Sequence, residues 1–214
     1  MTLQLVRKDM LYLFKSLKST VITFVVFSMF MGMINTGITI VIPALACYIG
    51  LYSSIAYEER SKMNLLNVTL PVKRQEICLS KYVQAVLFVV IAALLGIVGM
   101  YIKQAVNPQE DVVAIGEVIR FIPIMISFGL IYSAVMLPCI FYYGCIKSRY
   151  VMLIIYGAIF GIAFSMGEDL TGGILASVQH MSLTTISLFT LLVGMILFVI
   201  SYMISLAIWN KKDF

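Results

Sequence analysis

Histidine is almost absent from this 214-residue chain, with His180 the only one. Charge is scarce as well: Asp, Glu, Lys and Arg make up 12% of the residues, about half the usual share in soluble domains. Cysteine is limited to Cys47, Cys78, Cys139 and Cys145, without a C-x-x-C pair. Each scarcity removes a class of chemistry. One histidine cannot assemble a metallopeptidase site or a Ser-His-Asp set, and Glu58-Glu59 has no histidine partners; His180 is read as an exposed loop residue. Four scattered cysteines make neither a disulfide framework nor a zinc site and are read as small apolar fillers. A phosphate-binding loop is missing too. The nearest approach, Gly144-Cys145-Ile146-Lys147-Ser148, lacks both the glycine directly before the lysine and the upstream glycine. The chain is expected to be no enzyme and to bind no metal, nucleotide or other cofactor by itself. Internal repeats and low-complexity segments are absent.

What is abundant is apolar surface, at 62% of residues. Residues 19–57, 82–102, 121–146, 150–167 and 181–210 carry no Asp, Glu, Lys or Arg. Each run accommodates a span of about 20 residues, and the first is long enough for two, divided at Asn35-Thr36-Gly37. Continuous apolar runs favour helices over barrel strands, which would alternate every second residue. The expected fold is an all-α polytopic membrane protein, one domain over 1–214. Its six transmembrane helices lie near 19–35, 37–57, 82–102, 121–145, 150–167 and 184–208. A cleaved signal peptide is not expected, because the first apolar run starts late, behind a long basic segment.

The basic residues orient these spans. With the N-terminus inside, the cytosolic segments hold all the Lys and Arg except Lys103 and Arg120. Both termini and the stretch 58–81 are then cytosolic. The net charge of +5 reads as membrane topology, leaving no basic-aromatic surface for nucleic acid. With no ionisable residue inside a span, self-powered ion coupling is not expected.

Residues 1–18 form a separate element. Leu3, Val6, Met10, Leu13, Phe14 and Leu17 share one helical face, while Arg7, Lys8, Lys15 and Lys18 gather opposite. A basic amphipathic helix of this kind lies in the membrane interface, and a plain anchoring role accounts for it equally well.

Between Tyr57 and Tyr82 the pattern changes. Glu58, Glu59, Arg60, Lys62, Lys73, Arg74, Glu76 and Lys81 are interleaved with Met63, Leu65, Leu66, Val68, Leu70, Ile77 and Leu79. One helix is expected from about Glu58 to Val68, then a corner at Leu70-Pro71, then a helix from about Val72 into the third span. Orienting the spans needs only a few charges. A short helix of mixed charge with an apolar face suits docking in a groove of another protein, and that is the favoured reading.

Other features carry weaker signals. Pro43 would kink the second span, as gate or as static bend. Pro123 and Pro138 lie in the fourth span, and Gly157-x-x-x-Gly161 permits close helix packing. Tyr48, Tyr52 and Tyr132 are candidates for lining a cavity for an amphipathic substrate, although ordinary packing is the favoured reading.

Tyr57-Glu58-Glu59-Arg60-Ser61-Lys62, Leu70-Pro71-Val72-Lys73-Arg74-Gln75-Glu76-Ile77 and Leu79-Ser80-Lys81-Tyr82 together resemble the signature of small six-span bacterial type-2 ABC exporter permeases. In those, a "Y-[DE]-E…LP-V-x-R-x-E-I-x-x-S-K-Y" pattern occupies the loop between spans two and three. Arg60-Ser61-Lys62-Met63 departs from the Lys-Asn-Lys-Trp-like run more usual there. The resemblance implies a permease subunit in the bacterial cytoplasmic membrane, paired with a second permease copy, identical or related. ATP and Mg would bind a separate ABC ATPase subunit. It makes 1–18 the elbow helix and 58–70 the coupling helix, with Glu58, Glu59, Arg60, Lys62, Met63, Leu65, Leu66, Lys73, Arg74 and Glu76 at the ATPase interface. The members it most resembles export phenol-soluble modulins and similar amphipathic or hydrophobic peptides. The principal rival is the substrate-binding membrane subunit of an energy-coupling-factor vitamin importer, which also has about six spans but lacks the long mixed-charge loop.

Overall fold

The computed structural model describes residues 2–16, 18–34, 41–61, 74–106, 115–165 and 183–211, and among them there is no strand. Helix α1 (Thr2–Ser16) precedes α2 (Lys18–Ile34). Next comes a helical rod made of α3 (Ile42–Cys47), a π-helical turn (Tyr48–Tyr52) and α4 (Ser53–Arg60). Three long helices follow: α5 (Arg74–Val106), α6 (Ile115–Ser165) and α7 (Leu183–Lys211). Stretches of α5, α6 and α7, namely Gln75–Val106, Phe121–Ile154 and Thr184–Lys211, are long and apolar enough to cross a membrane. The first, second and fifth expected spans fall on α2, on the rod Ile42–Arg60, and on α6 beyond Gly144.

Helix α7 explains why these helices suit a bilayer. Its buried positions are Ser187, Gly194, Ser201, Ser205 and, near its end, Trp209, whereas Leu188, Phe189, Leu192, Val199 and Met203 are exposed. A helix in water would bury the leucines and solvate the serines. The inverted pattern fits a lipid surround, where apolar side chains already have an apolar solvent and small residues let helices approach closely. On α2 the same logic holds: Ile22, Val26 and Phe30 face outward, while Phe24, Ser28 and Gly32 face in. Gly32 meets Gly96 and Gly99 of α5 so closely that a methyl group on either Gly32 or Gly99 would strike the other helix's backbone. The side chains of the Gly157-x-x-x-Gly161 stretch, which also permits close packing, lie outside the described residues.

Around this contact the core gathers Ile42 and Leu51 from the rod, Val89 from α5 and Leu137 from α6, all fully buried. Phe24 and Phe88 meet edge to face at 5.5 Å, fastening α2 to α5. Helix α7 packs most extensively on α6.

Two expectations about local structure are corrected. Pro43 does not kink a span: it occupies the first turn of α3, with Val41 as N-cap, where its missing N–H leaves no bond unmade. The helix expected to begin near Glu58 does not begin there, because α4 continues from the rod through Tyr57 and Glu58 to Arg60 and ends at Ser61. Ser61 helps to close that end, its amide and hydroxyl both donating to the Tyr57 carbonyl. The corner at Leu70-Pro71 and the rest of 62–73 lie outside the described residues.

Candidate functional site

Helix α5 has 33 residues, about 50 Å at 1.5 Å per residue. A hydrocarbon core is about 30 Å thick, so α5 reaches past it. Its first two turns, Arg74 to Lys81, place a lysine between α1 and α4. There Lys81 Nζ donates to Asp9 Oδ2 at 2.7 Å and to Glu58 Oε1 at 2.5 Å. All three side chains are about 5% exposed. Lys8, largely in solvent, stands 3.8 Å from the other Asp9 oxygen. Two carboxylates share one buried ammonium, and the trio joins three helices that are distant in sequence.

Such a group is stable only as a set. Removing a charge from water costs several kcal/mol, which the partner's charge and hydrogen bonds must offset. Burial pushes the Glu58 carboxyl above its ordinary value of 4.5, against the pull of Lys81, and the Asp9 charge adds to the rise. Asp9 and Glu58 share one buried ammonium, with only the exposed Lys8 beside Asp9 in addition, so a proton on Glu58 relieves the repulsion between the two acids.

One residue further on, Glu59 does something different. Gly144 interrupts α6 with φ 78° and ψ 169°, a backbone region open essentially to glycine alone. The helix restarts at once, and the freed Cys145 N–H donates to Glu59 Oε2 at 2.7 Å. A carboxylate at a helix N-terminus satisfies an orphan amide and faces the positive end of the dipole. Tyr52 completes the clasp by donating its hydroxyl to the Cys145 carbonyl at 3.3 Å. Tyr52 also stacks on Tyr48 at 5.2 Å, beside the π-helical turn.

A third connection ties α5 to α7. The Tyr82 hydroxyl lies 2.7 Å from both Ser201 Oγ and Ser205 Oγ, and Ser201 in turn donates to the Ala134 carbonyl of α6 at 2.6 Å. Phe198 and Tyr202 pack edge-on against the Tyr82 ring. Gln84, fully buried, donates to Ser54 at 3.1 Å and holds α5 against α4. The stems on either side of 62–73 are thus bonded to α1, α6 and α7.

The residues expected at a partner interface divide accordingly. Glu58 and Glu59 turn inward, Glu58 to Lys81 and Glu59 to Cys145. Arg60 is exposed at the end of α4, and Glu76 is half-buried in the first turn of α5. Arg74 opens α5; its side chain, and Lys62, Met63, Leu65, Leu66 and Lys73, lie outside the described residues. Of the tyrosines, Tyr52 is engaged at the Gly144 break, and Tyr132 packs against the core. Gly144, which opens the nearest approach to a phosphate-binding loop in the sequence, is the helix break.

Sequence reasoning missed Asp9 and the inward role of Lys81. One signal was there to read: Asp9 is the sole acid of a basic segment and sits beside Val6 and Met10 on the apolar side. The helix expected from about Val72 into the third span is described from Arg74 on, but Lys81 on it was counted as a cytosolic charge and not as an inward one.

A family model described as ABC-2 family transporter protein matches residues 4–210. No curated protein matches the chain. The matched region extends from α1 through the charged connection to the end of α7, and the chain belongs to this family of multi-pass membrane subunits of ABC transporters.

Proposed function

We propose that this chain is the permease subunit of an ATP-driven exporter in a bacterial cytoplasmic membrane, moving amphipathic or hydrophobic peptides outward. A separate ABC ATPase subunit supplies the energy and holds ATP and Mg. Two permease units, identical or related, form the path, each with six spans and both termini in the cytosol. Helix α1 is the elbow in the interface, and the segment between α4 and α5, including Arg60, Lys62, Met63, Leu65, Leu66, Lys73 and Arg74, seats in a cleft of the ATPase.

The observation that carries the reading is the Asp9–Lys81–Glu58 trio. Glu58 is three residues before Ser61, and Lys81 follows Pro71 by ten. The stems of the connection are therefore locked to each other and to α1 through one buried ammonium. Glu59 extends the lock to the break in α6. A push on the connecting segment would reach several helices through rigid hydrogen-bonded joints, as a coupling element requires. Glu58 and Glu59 then act as positioning residues behind the docking surface, and exposed charges on the segment set register more than affinity.

The test pairs the purified chain with the ATPase that co-purifies with it. Charge reversal at Lys62 and Lys73 is expected to weaken stimulation of ATP hydrolysis and transport of a labelled amphipathic helical peptide into inverted vesicles, with the melting temperature unchanged. Reproducible absence of any co-purifying ATPase, or full coupling in the reversed variants, would overturn the assignment.

A further inference from the structure

Where α6 and α7 come together near Lys211, they leave a groove of about 480 Å³ that opens to the outside of the bundle. Its walls are Phe141 and Tyr142 on α6 and Ile204, Ala207 and Ile208 on α7, with Lys211 at one end. We propose that this groove is a binding site for an anionic phospholipid, drawn sideways from the leaflet that Lys211 faces. The phosphate would pair with the lysine and one acyl chain would lie along Ile208, Ala207 and Ile204.

Three observations lead to this occupant. The first is polarity: the lining is apolar except at one end, where a single cation stands, and this matches a molecule with an apolar body and an anionic head. Lys211 makes no ion pair among the described residues and is exposed. The second is depth. Tyr142 and Tyr143, both exposed, meet edge-on at 4.6 Å at this end of the groove. Aromatic rings with a polar tip gather at the headgroup level, so the Lys211 end of the groove lies where phosphates are and the Ile204 end lies in hydrocarbon. The third is access. Tyr142, Ile146, Met203 and Ile204 around the groove are all exposed, so lipid can enter laterally. Basic pockets between transmembrane helices are physically suited to anionic headgroups, and the volume falls within the range of specific small-molecule sites.

The inference needs only that the chain is embedded in a bilayer and is independent of cargo and of the ATPase. The full chain, delipidated in a neutral detergent, would be titrated with phosphatidylglycerol or with phosphatidylcholine of the same acyl chains. Native mass spectrometry reads retained lipid and a thermal scan reads stabilisation. Phosphatidylglycerol should be retained at one copy per chain and raise the melting temperature, with phosphatidylcholine held at least about fivefold more weakly. Lys211→Gln should erase that preference, Lys211→Arg should keep it, and Ala207→Phe should block retention of both lipids by filling the groove. Lys18→Gln, which removes a cation from the start of α2, should change nothing. Inorganic phosphate alone should give no shift. Equal retention of the two lipids, an undiminished preference in Lys211→Gln, an equal loss in Lys18→Gln, or stabilisation by free phosphate would each overturn the proposal.

Discussion

Glu59 caps a helix to which it does not belong: its carboxylate accepts the Cys145 amide at 2.7 Å, one residue beyond the left-handed Gly144. The end of α4 and the restart of α6 are thereby a single joint, although 86 positions separate the two residues in sequence. Glycine and acid depend on one another here. A break without the carboxylate would strand a buried amide, and a carboxylate without the break would find no free N–H.

Gly144→Ala should cost about 1–3 kcal/mol, since alanine does not enter this backbone region without strain. An added Cβ would also stand 2.9 Å from Glu59 Oε1 and press on the cap. Glu59→Ala should cost about 0.5–2 kcal/mol, the ordinary range for a lost N-cap, while Glu59→Gln keeps an acceptor and should lose less. Chemical or thermal unfolding of the detergent-solubilised chain orders the three variants.

Lys81→Met should be among the most destabilising single changes, at about 3–5 kcal/mol, because it leaves Glu58 buried without its cation and Asp9 with only the exposed Lys8 at 3.8 Å. Adding Asp9→Asn and Glu58→Gln to Lys81→Met should restore much of the loss, since no buried charge then remains. Failure of the triple variant to recover beyond Lys81→Met would show that the three groups do not act as a set. The same melting series yields the coupling energies.

Glu58 gives a pH dependence whose sign follows from burial. Its folded-state value is raised above the ordinary 4.5, so the folded form holds its proton more tightly than the unfolded chain. The stability it contributes is full below the unfolded value and is lost as pH rises through the folded one. Relative to Glu58→Gln, which does not titrate, the wild-type melting temperature should fall as pH climbs from about 4.5 and then level off. A difference that is flat across this range, or that rises with pH, would contradict the assignment.

Tyr82→Phe removes a hydroxyl shared by Ser201 and Ser205 while leaving the ring among Phe198 and Tyr202. Hydrogen bonds between helices in a membrane average about 0.6 kcal/mol, so a small loss of stability is expected. A Tyr82→Phe/Ser205→Ala cycle should show coupling of that order, and strict additivity would mean that the bond contributes nothing.

Membrane character, helical class and the segregation of charge into 58–81 were legible in the sequence, because each depends on composition along a local stretch. Charge-free runs located the long helices but not their starts, since α5 begins at Arg74 against 82 and α6 at Ile115 against 121; the gap between 145 and 150 fell close to the Gly144 break. The trio was not legible in the same way. Asp9, Glu58 and Lys81 look like three loop or surface charges until helices α1, α4 and α5 converge, since only proximity in space turns a solvated charge into a buried pair. Gly144 likewise resembled any glycine near a span end; its φ of 78° is a product of how the two parts of α6 must be aimed.

The sequence by itself determined that this is a helical membrane chain with one dense charged connection, because hydrophobicity and charge act through the solvent around each segment. Only the tertiary structure decided where those charges go. Pairing strength depends on distance and on exclusion of water, and neither exists until the helices pack. The acids at 58 and 59 point inward to Lys81 and Cys145, and it is through them that the connection is fastened to the rest of the molecule.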